Sequence, residues 1–193
     1  MPLRGEENQA AAGEGGTHIP LQKLGNRVMI IGCGGSGKST LARKLGESTG
    51  LPVIHLDKEF WNSGWVETPK AIWYEKQRAL AAQERWIIDG NYRGSMEYRL
   101  ERADTVIFLD FKRTVCLFGV IKRQLTHIGQ TRPDMPAGCP EKIDREFIQW
   151  IWRFRRETRP GVMAKLEAFP TVRVITLENR QEVRTFLCGL IVR

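Results

Sequence analysis

The chain has 193 residues, 41% hydrophobic and 27% charged, with a formal net charge of +8. That length suits one domain with a sizeable core and leaves little room for two. No apolar run approaches the roughly 20 residues of a membrane span, and the acidic, small-residue N-terminus "MPLRGEENQAAAGEGG" lacks the basic-then-apolar order of a secretory signal.

The four cysteines (Cys33, Cys116, Cys139 and Cys188) form no CxxC pair, so neither a zinc site nor a disulfide framework is expected. A cytoplasmic setting with reduced, mostly buried thiols follows, Cys33 being the one expected to be accessible. Residues 1–25 lack apolar periodicity and are expected to form a disordered leader before a single domain over 26–193.

From there, short apolar runs alternate with helical patterns, which predicts βα units and a parallel sheet. The runs are "RVMIIGC", "LPVIHLD", "RWIIDG", "ADTVIFLD" and "TVRVITL". Helices are predicted after the first run, with Leu41 and Leu45 on one face and Thr49-Gly50 as the stop, and over residues 69–83, with Pro69 in the first turn. Further helices are predicted over 114–126, 141–159 and 180–190. In the helix from 141, Ile143, Phe147, Trp150, Ile151 and Phe154 share a face, while Arg145, Arg153, Arg156 and Arg159 fall broadly opposite. That arginine row suits either a solvated face or contact with phosphates. Between the two basic helices, "RPDMPAGCP" reads as a mobile loop above the sheet, within a lid segment over about 124–142.

Residues 32–39 satisfy G-x-x-x-x-G-K-[ST], the P-loop pattern. Gly32, Gly34, Gly35, Ser36 and Gly37 let backbone N–H groups curl around phosphate oxygens. The helix that follows adds its positive dipole end. Lys38 is placed to reach the β- and γ-phosphates, Ser39 to ligate Mg²⁺, and Thr40 extends the loop. ATP and Mg²⁺ are the expected cofactors.

The loop "GCGGSGKST" resembles that of the adenylate kinase and shikimate kinase group of P-loop kinases. More narrowly, "HLDKEFWNSGW", "WIIDGNY" and "GCPE" resemble the DNA topology modulation proteins, often called FlaR-related, over roughly residues 27–190. The resemblance implies a three-layer α/β fold, with a five-stranded parallel sheet in the order 2-3-1-4-5 and helices on both faces. It also implies a basic lid.

Asp57, Asp89 and Asp110 follow three of the apolar runs, so each is expected at the carboxyl edge of the sheet, where ligands bind. With the implied strand order, Asp89 and Asp110 are the candidates for Mg²⁺ and its waters. Asp57 lies further out, where it can orient an acceptor hydroxyl and take its proton. In adenylate kinases a run similar to "DGNYR" carries an arginine that holds the acceptor nucleotide's phosphate, which makes Arg93 a substrate-binding candidate. Trp61, Trp65 and Trp73 suit either a ring-stacking surface or the core. Arg123 and Arg132 are the candidate catalytic lid arginines, neutralising charge on the transferring phosphoryl group.

Between Lys112 and Arg159 there are 11 Lys or Arg against 5 Asp or Glu, so most of the surplus positive charge sits in one quarter of the chain. Two functions accommodate it. One is a Mg²⁺-dependent kinase moving the ATP γ-phosphate to a nucleoside, nucleotide or related metabolite, with only weak nucleic-acid affinity. The other is an ATP-binding protein that engages DNA or RNA through the basic quarter. No N-K-x-D motif is present to suggest a GTPase. "LENRQEV" near the C-terminus is a candidate flank for the adenine by fold analogy.

Overall fold

In the computed structural model, β1 (Arg27–Gly32) is the middle strand of a five-stranded sheet. The structure describes residues 24–126, 129, 131–140 and 144–190. Almost all of the expected leader, Ile143 and parts of the expected lid lie outside these. After β1 come α1 (Lys38–Thr49), β2 (Val53–His55) and α2 (Leu56–Phe60). A small hairpin of β3 (Trp61–Asn62) and β4 (Val66–Glu67) precedes α3 (Lys70–Ala82) and β5 (Trp86–Asp89). A 3-10 turn (Arg93–Ser95) leads into α4 (Met96–Leu100), followed by β6 (Thr105–Leu109) and α5 (Arg113–Thr126). The chain ends with α6 (Arg145–Arg153), a π-helical turn (Phe154–Thr158), α7 (Arg159–Glu167), β7 (Arg173–Leu177) and α8 (Arg180–Cys188).

All pairings in the large sheet are parallel, in the order β2-β5-β1-β6-β7. Counting only its own strands, this is the expected 2-3-1-4-5. The chain moves one way from β1 to β2 and the other way thereafter, and right-handed crossovers then put α1 and the later connections on opposite faces. The direction changes beside β1, so the cleft at the carboxyl ends of β1 and β5 is where this topology places a ligand.

The three inner strands are nearly continuous apolar runs because both their faces are covered. Val28, Met29, Ile30 and Ile31 have no exposed surface, each contributing about 1.5–3 kcal/mol of burial. Leu41 and Leu45 of α1 pack into the same core, and Gly50, with φ of 67°, donates its N–H to Gly46 O and ends the helix as expected. Leu24, within the expected leader, already packs against the core.

Several elements differ from expectation. Asp57 does not end a strand: β2 stops at His55, and Asp57 sits in the first turn of α2. Pro69 caps α3 from outside rather than entering its first turn. The helix expected to end near Arg159 runs on to Glu167, despite Pro160. Proline has no N–H for the helical ladder, and the π-helical turn immediately before it takes up the shift in register.

The proline-rich loop is packed rather than free. Met135 and Cys139 are buried, Gly64 in the hairpin turn donates its N–H to Gly138 O at 3.0 Å, and Cys139 Sγ lies 3.2 Å from Asn62 O. The loop and the β3–β4 hairpin are therefore bound to each other above the sheet.

Candidate functional site

The glycines of the phosphate loop answer two demands. Gly37, with φ of 95°, precedes α1; an added Cβ there would meet nothing within 4 Å, and no side chain caps the helix. The first N–H groups of α1 thus remain available to an anion. Lys38, Ser39 and Thr40 line a cleft of about 860 Å³. Lys38 Nζ donates to Cys33 O at 3.0 Å, which folds its charge over the loop.

Gly34 and Gly35 are required by the protein itself. A Cβ on Gly34 would lie 2.7 Å from the Phe147 ring of α6, and one on Gly35 would lie 2.2 Å from Cys116 O of α5. Gly119 of α5 approaches from the other side, its own hypothetical Cβ 2.1 Å from Gly35 O. Gly32 and Ser36 lie beneath the cleft rather than on it. Gly32 exchanges two hydrogen bonds with Asn91, N–H to Oδ1 at 3.0 Å and Nδ2 to its carbonyl at 2.7 Å. The Ser36 hydroxyl is buried with no hydrogen-bond partner among the described residues. Cys33, expected to be accessible, is buried against Cys116, and that contact with burial pushes its thiol far up.

Four carboxylates need separate treatment. Asp89 is 3% exposed and bonded to His55 Nδ1 at 2.9 Å. Burial works against a charge on His55, but the hydrogen bond and charge of Asp89, with Asp134 nearby, outweigh it and raise the imidazole above its ordinary value. Asp134, from the proline-rich loop, was not anticipated. It is paired with Arg132 at 2.7 Å and lies within hydrogen-bonding reach of the Ser39 hydroxyl. Burial would raise its carboxyl, yet Arg132 and Ser39 hold it below the usual range.

Asp57 accepts from the Tyr92 hydroxyl at 2.9 Å. Burial and the charge of Asp89 raise its carboxyl, against the opposing pull of Tyr92, Lys38 and Arg132. Asp57, Asp89, Asp134 and Ser39 all line the cleft. Asp110, the other expected metal residue, does not. Its Oδ2 is 2.8 Å from Arg159 Nε and 3.6 Å from an Arg155 guanidinium nitrogen, so α7 and the π-helical turn neutralise it from beside the sheet.

The remaining candidates divide the same way. Trp61 and Trp65 line the cleft with Phe60 and Tyr92, whereas Trp73 is buried behind Phe60 and Tyr92 as core. Arg123 and Arg132 line it, Arg123 lying 5.9 Å from the Phe147 ring centroid. Arg93 is exposed and borders a separate hollow between α3 and the 3-10 turn. Arg99 is the arginine that serves this region. It is completely buried and donates to the carbonyls of Gly90, Asn91 and Tyr92 at 2.8, 2.7 and 3.4 Å. Of the arginine row, Arg145, Arg153, Arg156 and Arg159 all lie off the cleft, because α6 turns Phe147 and Trp150 toward the loop instead.

The donor set suits a nucleotide with its cation. Among the described residues no three His, Cys, Asp or Glu side chains converge to hold a metal by themselves. Magnesium characteristically takes one or two carboxylates and completes its shell with phosphate oxygens and water. Ser39, with Asp89 and Asp134 in the same cleft, offers that kind of incomplete site. Among the described residues no helix is long and apolar enough to cross a membrane.

No protein-family model matches the chain, and no curated protein matches it. Solved structures do. A shikimate kinase from Acinetobacter baumannii, solved with shikimate, is 15% identical and aligns with a TM-score of 0.52 over 83% of this chain and 88% of that one. A gluconokinase from Sinorhizobium meliloti is 17% identical, with a TM-score of 0.49 over 87% and 93% of the two chains. With its sheet order and phosphate loop, the chain has the P-loop kinase fold.

Proposed function

We propose that this chain is a Mg²⁺-dependent kinase that moves the γ-phosphoryl group of ATP to a hydroxyl of a small acceptor. The observation that carries the reading is the open, left-handed Gly37 at the start of α1, with Lys38 and Ser39 on the same cleft as Asp57. The backbone N–H groups of Gly34, Gly35 and 37–40 hold the phosphates, and Lys38, Arg123 and Arg132 offset charge as it shifts toward the leaving oxygen. Bound Mg²⁺ would neutralise the β- and γ-oxygens, held through Ser39 with Asp89 and Asp134 nearby. Asp57 orients the acceptor hydroxyl and takes its proton. The acceptor oxygen bonds to the γ-phosphorus as the bond to the β–γ bridging oxygen breaks, leaving ADP.

The FlaR-related resemblance is part of this proposal and rests on the quoted motifs. So does a cytoplasmic setting, where ATP and Mg²⁺ are plentiful. The nucleic-acid alternative gains no support from the basic helices. Arg155 and Arg159 are drawn to Asp110, and Arg113 lies over the Trp152 ring at 3.8 Å.

The test is consumption of Mg-ATP with a panel of small alcohols, comparing wild type with Lys38→Ala. Loss of Lys38 should lower turnover at least ~100-fold, the scale of one missing charge-stabilising donor. Wild-type rates in the variant would refute the assignment.

A further inference from the structure

Among the described residues, only two non-glycine positions have a left-handed backbone: Trp65 (φ 63°) and Tyr92 (φ 34°). Bulky side chains rarely adopt that conformation, and where the surrounding structure imposes it the strain clusters at functional sites. Both residues are aromatic, both line the same cleft, and they come from elements far apart in sequence.

The surroundings explain how each is held. Trp65 follows Gly64, whose N–H is tied to Gly138, and its ring meets Trp61 edge-on at 5.3 Å. Tyr92 is fixed at its carbonyl by Arg99 and at its hydroxyl by Asp57, and its ring lies 5.0 Å from Phe60. Asp57 thus has a rim of half-buried aromatic rings, with Met135 from the proline-rich loop also on the cleft.

The charge immediately around Asp57 does not favour a second anion. Asp57 feels the negative charge of Asp89; of the two cations that oppose it, Lys38 donates to Cys33 O at 3.0 Å and Arg132 is engaged with Asp134 at 2.7 Å. Arg93, where an acceptor phosphate would be expected to bind, lies outside the cleft, and the Arg99 guanidinium is occupied by three backbone carbonyls. A phosphorylated or carboxylated acceptor that reached Asp57 would bring its charge toward Asp57 and Asp89, whose opposing cations Lys38 and Arg132 are bonded to Cys33 O and Asp134.

Resting on the kinase reading, we infer that the acceptor is an uncharged alcohol carrying a planar aromatic or heteroaromatic ring, a nucleoside rather than a nucleotide or sugar acid. The ring lies among Trp61, Trp65 and Phe60, and its hydroxyl meets Asp57. One carboxylate suffices to orient a neutral hydroxyl, and the ring faces supply affinity without charge.

Binding is read first, by quenching of tryptophan fluorescence, with a non-hydrolysable ATP analogue present at saturation to exclude the donor site. The probes are adenosine, guanosine, cytidine and thymidine, their 5′-monophosphates, gluconate, shikimate and xylitol. At least one nucleoside should bind at least tenfold more tightly than its monophosphate and than the three ring-poor or acidic probes. Trp65→Ala should weaken that nucleoside about tenfold, within the range for loss of one base-stacking ring, and leave affinity for the ATP analogue within twofold. Thermal melts of the variant confirm that it is folded, and Trp61→Ala serves if it is not.

Preference for a monophosphate, gluconate, shikimate or xylitol, or no binding by any nucleoside at millimolar concentration, would overturn the inference. The kinase reading is judged separately, by phosphorylated product. Transfer to gluconate would uphold the kinase and sink the ring-bearing acceptor. Nucleoside binding without transfer would do the reverse.

Discussion

Gly119→Ala sets two well-characterised effects against each other. Gly119 lies in the middle of α5 without an unusual φ, so alanine should favour the helix by about 1 kcal/mol. Its methyl, however, would sit 2.1 Å from Gly35 O. Carbon–oxygen contacts of this kind settle at about 3.3–3.6 Å, so the phosphate loop and α5 must separate by roughly 1.2 Å. The obstacle is a backbone carbonyl, which cannot rotate away as a flexible side chain can. Overpacking costs about 1–3 kcal/mol, which leaves a net destabilisation of about 0–2 kcal/mol and a melting temperature between unchanged and ~8 °C lower. The functional cost is larger, because displacing a catalytic element by ~1 Å lowers turnover on the order of 100-fold. Differential scanning fluorimetry and Mg-ATP titration by calorimetry read the two effects separately. A melting temperature raised by about 2–4 °C with unchanged ATP affinity would mean that the helix gain is realised without the clash. The close approach of α5 to the loop would then be wrong.

Asp57→Asn should lower phosphoryl transfer ~100-fold or more while retaining ATP affinity, as expected of a lost proton acceptor. It should also change how stability depends on pH. A carboxyl raised by burial and by Asp89 contributes stability below its unfolded value of about 3.9, which is lost as pH rises through the folded value. Urea melts should therefore find the variant favoured relative to wild type at pH 7 and that advantage gone near pH 3; an advantage that grows on acidification would contradict the burial argument. Thiol labelling of the native protein should modify Cys188 quickly and Cys33, Cys116 and Cys139 only on unfolding, since only Cys188 is exposed. Equal rates at Cys33 and Cys188 would show the phosphate loop to be open to solvent.

The parts legible in the sequence are those whose signal is local. Continuous apolar runs mark β1, β5 and β6 because both faces of those strands are covered, and the loop motif marks its own position. The β3–β4 hairpin escaped because two-residue strands carry no periodicity. Asp110 looked like Asp89 in sequence, as an acid after an apolar run. The difference comes from Arg159, 49 residues later, delivered by a helix that passes through Pro160.

Asn91 and Asp134 were invisible for a related reason. The Asn91 amide matches Gly32 across 59 residues, and nothing near Asn91 announces it. Asp134 sits in a proline-rich run that reads locally as a turn, where its pairing with Arg132 two residues before is local; only tertiary packing brings it to Ser39. The Gly34 and Gly35 positions were read for phosphate alone, although Phe147 and α5 also require them.

The bonds from Gly64 to Gly138 and from Cys139 to Asn62 bear on the traffic of molecules through the cleft. The segment bearing Arg132 and Asp134 and the hairpin bearing Trp61 and Trp65 are fastened together, so in the proposed kinase any movement of one over the cleft would carry the other with it, as a single door. A door of that kind cannot admit one partner while remaining shut on the other. On that reading both substrates would have to be aboard before it shut, and ADP and the phosphorylated product would share one exit. The movement that kept water from the γ-phosphate would then be the same one that brought the acceptor hydroxyl to Asp57.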